Sequence, residues 1–220
     1  MLPFTREAFL ALFASYNAAV WPAQLVAYGA GVAALVALVP RTGRALSSRL
    51  ALGALAAMWL WTGVSYHWLF FAEINPAAFG FGGLFVAEAL ALLVLAVRNR
   101  VAFELRFDLA GSAGAGLIFY ALIVYPLIGL AGGGWTQSPA FGITPCPVTL
   151  FTLGLLLLAA PRPPLWAWIV PLLWSLIGGT AAFLLGIVQD WILLLSGPAA
   201  FLLAFGAPRV AGAHEGKPSR

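Results

Sequence analysis

The sequence predicts an all-α integral membrane bundle of about seven transmembrane helices, and two observations carry that prediction. The first is composition: 63% of the 220 residues are hydrophobic and 8% are charged, with a mean hydropathy of +0.99. A soluble domain of this size has too much surface for its volume to hide so much apolar area. The second is where the charge falls. Long runs almost free of Lys and Arg alternate with short gaps that hold nearly all eleven of them. Segments of about 20 residues span a bilayer, so the chain has room for six or seven and little for a soluble domain.

Residues 5–17 read as a short amphipathic helix. Thr5 is placed to cap it, and Phe9, Leu10, Leu12 and Phe13 form its apolar side. This segment, residues 1–17, is expected to lie in the membrane interface. The transmembrane domain then covers 18–208, with spans near 18–39, 50–71, 78–97, 109–130, 145–160, 165–185 and 191–207. The fifth is short, because Pro161, Pro163 and Pro164 break any helix there. The seventh is short and contains Gly197-Pro198, so six spans and a half-span is the alternative. Residues 209–220 form a polar tail.

Charge orients these spans. If they alternate, ten of the eleven basic residues share one side: Arg41, Arg44 and Arg49; Arg98, Arg100 and Arg106; Arg162; and Arg209, Lys217 and Arg220. Only Arg6 is opposite. The arginine side is expected to be cytoplasmic and the N-terminus outside. The net charge of +4 is thus a topological bias, not a track for nucleic acid. A single cysteine, Cys146, excludes an internal disulfide. The N-terminus lacks the basic region and cleavage site of a removable signal peptide.

Three residues could carry chemistry. Glu88 stands alone in an apolar run. At about 1.5 Å per residue from Pro76 it lies roughly 18 Å along the helix, near the bilayer midplane. An ionised carboxylate there costs several kcal/mol unless paired or hydrated, so Glu88 is expected to be neutral or to face a polar cavity. It is either a functional acid or a hydrogen-bonding partner of a neighbouring helix. His67, between Tyr66 and Trp68, lies near the outer end of its span. It could bind metal, move a proton or hold a polar ligand, or simply belong to an interfacial aromatic belt. Cys146 follows Thr144 and Pro145, a capped helix start where the dipole favours a thiolate. A buried inert thiol is the plainer alternative.

Asn75-Pro76-Ala77 is similar in composition to the aquaporin Asn-Pro-Ala motif, but it occurs once. A helix cap explains it better. No span contains Lys, which excludes a retinal Schiff base. With one membrane histidine, a zinc-hydrolase cage and bis-His haem both fail. Gly111-Ser-Ala-Gly-Ala-Gly116 is small-residue helix packing, not a phosphate loop.

Three blocks carry a family resemblance: residues 2–24, residues 66–89 around Tyr66-His67-Trp68, and residues 141–158 around Thr144-Pro145-Cys146-Pro147. They resemble a family of bacterial polytopic membrane proteins known as a domain of unknown function. The resemblance implies a multi-pass protein of the bacterial inner membrane and assigns no activity or residue role.

The expected function is binding or transport at a small site facing the periplasm. His67, Glu88, Cys146 and Tyr66 would line it, with Asn75 and Glu73 near its mouth. Its ligand would be a small polar solute or a soft or borderline metal ion such as Cu(I), Zn(II) or Hg(II), held by His67 and Cys146. Glu88 would couple protons. An accessory or assembly subunit of a larger membrane complex, or a homo-oligomer, is the second possibility. A small membrane enzyme with Cys146 as nucleophile and His67 as base is the third. The expected partner is the lipid bilayer, with no nucleic acid.

Overall fold

The computed structural model describes residues 2–39 and 43–206. Arg41, the tail residues Arg209, His214, Lys217 and Arg220, and the rest of 207–220 lie outside them. The described residues are mostly helical. Helix α1 (Arg6–Ala19) is capped by Thr5, whose hydroxyl accepts from the Ala8 N–H at 3.2 Å. After Pro22 comes α2 (Ala23–Leu38), bent 83° from α1. Helix α3 (Arg44–Trp61) runs on into a π-helical stretch (Thr62–Phe70) and a 3-10 turn (Phe71–Glu73). Then follow α4 (Ala78–Arg98), strand β1 (Ala102–Phe103) and α5 (Leu109–Phe119). A second π stretch (Tyr120–Val124) joins α5 to α6 (Tyr125–Gly133). The chain ends with α7 (Pro145–Leu158), β2 (Ala159–Ala160), α8 (Trp166–Leu185), a 3-10 turn (Val188–Asp190) and α9 (Trp191–Phe205).

Four stretches are long and apolar enough to cross a bilayer: Ala78–Arg98, Leu109–Gly132, Trp166–Leu185 and Val188–Phe205. The bent pair α1–α2 makes a fifth if it is counted as one span. The last stretch runs unbroken through Gly197-Pro198. Gly197 there abuts the Ser175 side chain so closely that a Cβ would fall 1.8 Å from its Oγ.

Helix α7 is the axis of the fold. All fourteen of its residues are buried. Gly154 faces Gly114 of α5, and a Cβ on either would stand 2.7 Å from the other's carbonyl oxygen. This close backbone approach is what the small-residue run of α5 permits. The helix ends at Leu158, because Ala159 and Ala160 extend and pair antiparallel with Phe103 and Ala102.

That ladder brings the 99–108 and 159–165 connections to one end of the bundle. The turn into α3 joins them there. Arg44 pairs with Glu104 at 2.7 Å, and the Phe103 N–H donates to Ser48 Oγ at 3.0 Å. Arg162 lies over the Phe205 ring at 4.5 Å. Asp108 caps α5 through the Gly111 N–H at 2.8 Å. That bond and then the Arg106 guanidinium hold its carboxyl below the usual carboxylate range.

At the opposite end α1 lies across the bundle instead of standing apart from it. Leu12, Phe13, Tyr16 and Asn17 are buried. The Tyr16 hydroxyl donates to the Ile143 carbonyl at 2.7 Å and accepts from Trp61 Nε1 at 2.9 Å. Asn17 Nδ2 donates to the carbonyls of Thr136 and Ser138, both at 2.9 Å.

Candidate functional site

Beneath α1 is a cavity of about 440 Å³, within the usual range for small-ligand pockets. Its roof is Leu2, Phe4, Phe9 and Phe13, and one wall is the C-terminal part of α8 from Trp174 to Leu185. Tyr66, Phe71 and Asn75 form another side, and Cys146 and Asp190 close the floor. Leu176 and Leu184 line the cavity while 41% and 64% exposed, so it opens sideways through the face of α8.

The floor is the polar part. Asp190 is 2% exposed and ends the short turn between α8 and α9. The Tyr125 hydroxyl donates to its Oδ1 at 2.5 Å, and the Cys146 thiol is also within its hydrogen-bonding reach. Trp174 packs beside that thiol. The Tyr120 hydroxyl donates to the neighbouring Gln189 carbonyl at 2.9 Å.

Both π stretches face this site. In a π turn the backbone bonds run from residue i to i+5. The Tyr125 N–H bonds the Tyr120 carbonyl, and the Phe71 N–H bonds that of Tyr66. Residues five apart, which an α-helix would splay, therefore lie on one side. Tyr120 and Tyr125 both reach the α8–α9 turn. Tyr66 and Phe71 stack at 5.7 Å between centroids, and Phe13 also stacks on Tyr66 at 5.7 Å.

The residues singled out in the sequence divide. Cys146, Tyr66 and Asn75 line the cavity. Asn75 does not cap α4 directly: its Oδ1 accepts from the Ala77 N–H at 3.1 Å, and the helix begins at Ala78. Glu73 is exposed at the end of its turn. Thr144 occupies the N-cap of α7, but its hydroxyl donates back to the Ala140 carbonyl at 2.8 Å.

His67 sits behind the lining. It is fully buried, with its ring 5.0 Å from Trp174 and 4.7 Å from Phe85, and neither nitrogen has a hydrogen-bond partner. Glu88 is deeper on α4, on the same face as Phe81 and Phe85. It is 1% exposed, with both carboxyl oxygens unpartnered. The structure thus gathers Cys146 with Asp190 and Tyr125, and leaves His67 and Glu88 outside the cavity. The aromatic wall separates His67 from the cavity space. Among the described residues no three His, Cys, Asp or Glu side chains converge as a metal cage, so the expected His67–Cys146 pair gains no third ligand.

Sequence reasoning gave no role to Asp190, Tyr125 or Trp174. One signal was available for Asp190: it is the sole charged residue between Arg162 and Arg209, as isolated as Glu88. Nothing in the sequence distinguished Tyr125 or Trp174 from the other aromatic residues.

No curated protein and no solved structure matches the chain. A family model matches residues 6–215, nearly the whole length, and the chain belongs to that family, described as a family of unknown function (DUF6064).

Proposed function

We propose that this is a multi-pass protein of the bacterial inner membrane that binds or transports a small, mostly apolar ligand carrying one polar end. The ligand would occupy the cavity beneath α1, with its polar end at Asp190, Tyr125 and Cys146. The observation that carries this reading is a buried carboxyl and thiol, the carboxyl held from behind by the Tyr125 hydroxyl, at the floor of a chamber walled mostly by apolar and aromatic side chains. Ligand sites have this composition: apolar walls give affinity, and a few placed polar groups give orientation.

The membrane placement rests on the apolar helices and on the arginine bias. With seven crossings, the arginine-bearing end is cytoplasmic, the N-terminus is outside, and the cavity belongs to the outer leaflet. Its sideways opening through α8 then faces lipid, the natural source of an apolar ligand. Gln137→Cys and Arg100→Cys, each in a Cys146→Ser background, test the orientation. In intact cells an impermeant maleimide should label position 137 and spare position 100. The reverse pattern would remove the outward site.

The cavity itself is tested by filling it. Ala181 lines the open side, and Ala181→Phe places a ring in the chamber. In phosphatidylcholine nanodiscs, small amphiphiles that raise the wild-type unfolding temperature should lose that effect on Ala181→Phe. Equal stabilisation of both proteins would place the binding elsewhere.

A further inference from the structure

We propose that the ligand of this cavity is an organic cation, a lipophilic amine or quaternary ammonium, with Asp190 as its counter-ion. This inference rests on the cavity being a ligand site.

The argument begins with charge. A carboxyl group in an apolar chamber is costly to ionise unless something pairs with it. Asp190 has two partial compensations. The Tyr125 hydroxyl donates to Oδ1 at 2.5 Å. Asp190 also occupies the N-cap position of α9, though its side chain makes no cap bond there, and it lies beside Cys146 in the first turn of α7, so the positive ends of two helices are nearby. Neither supplies a full charge. Among the described residues, no Arg or Lys lines the cavity. The described arginines of the loops are at the far end of the bundle, where the β1–β2 ladder and the Arg44–Glu104 pair join those connections. The missing positive charge fits a ligand.

The walls favour the same sign. Phe9, Phe13, Tyr66, Phe71, Phe81 and Trp174 line the chamber, and aromatic faces attract cations and repel anions. The tilted and edge-on packing of these rings, such as Phe81 on Trp174 at 77°, turns ring faces in several directions. A compact cation with an apolar skin would satisfy the carboxyl group and the rings together.

The test is a matched pair of probes of nearly identical shape: benzyltrimethylammonium and its neutral carbon isostere, neopentylbenzene. Binding is measured by calorimetry to the full-length protein in phosphatidylcholine nanodiscs, with empty nanodiscs subtracted. Protection of Cys146 from methyl methanethiosulfonate locates the probe in the chamber. The wild type should prefer the cation by roughly tenfold or more, and Asp190→Asn, which keeps an oxygen for Tyr125, should bring the ratio near one. Should Asp190→Asn fail to fold, the wild-type ratio with Cys146 protection decides alone. Equal binding of both probes overturns the cation and leaves the cavity standing. Binding of neither overturns the ligand reading as well. A cation preference that survives in a folded Asp190→Asn overturns the role of Asp190.

Discussion

The Tyr125 hydroxyl donates to Asp190 Oδ1 at 2.5 Å, across 65 residues of chain. The bond ties the start of α6 to the turn between α8 and α9, and both groups are buried. Removing the hydroxyl leaves a buried carboxyl oxygen without its donor, which costs about 1–3 kcal/mol. Tyr125→Phe is therefore expected to unfold several degrees below wild type in mild detergent, followed by circular dichroism. An unchanged midpoint would mean that the pair is already solvated from the cavity.

The roof is held by Tyr16. Its hydroxyl bonds both the Ile143 carbonyl and the Trp61 indole, and these fix α1 over a cavity whose floor includes Cys146. Tyr16→Phe removes both bonds and keeps the ring. At about 1 kcal/mol for each bond, local opening of the roof rises about thirtyfold. Methyl methanethiosulfonate should then modify Cys146 faster than in wild type by a similar factor, while circular dichroism is unchanged. An equal rate would show that the thiol is reached through the open side at α8, without α1 moving.

Periodicity and punctuation made most of the helices legible. The Pro161–Pro164 cluster marks the break between α7 and α8 as expected, whereas the expected first span, 18–39, is interrupted at Pro22, and α3 begins at Arg44, ahead of the expected 50. What the sequence hid follows from geometry that depends on other segments. Leu158 ends α7 because residues 159–160 pair with 102–103, a partner nearly sixty residues away. The amphipathic pattern of α1 did not show what it packs on: Tyr16 and Asn17 tie it to the 134–144 loop and make it a roof.

The site was only half legible for a related reason. Cys146 and Tyr66 stood out by residue type and position. Tyr125 did not, because a period of 3.6 turns it well away from Tyr120. Only the π stretch between them brings both to the α8–α9 turn. The same device stacks Tyr66 on Phe71. Isolation in an apolar run is a sound signal of importance, but it cannot separate a cavity acid such as Asp190 from an enclosed one such as Glu88.

Glu88 shows how the two differ. Both its oxygens are buried without a partner, on a helix face packed against the aromatic cluster around Phe85. An unpaired buried polar group costs about 1–3 kcal/mol, and Leu has a similar volume with no polar atom. Glu88→Leu is accordingly expected to raise the unfolding temperature, whereas Glu88→Gln, which leaves an unpaired amide, changes it little. Removing a destabilising group can also remove a function. If Glu88 couples protons to transport, the Leu variant gains stability and keeps binding at the cavity, which Glu88 does not line, but loses uptake in proteoliposomes. A Leu variant less stable than wild type would show that the carboxyl group makes a structural bond. That result would retire the coupling role.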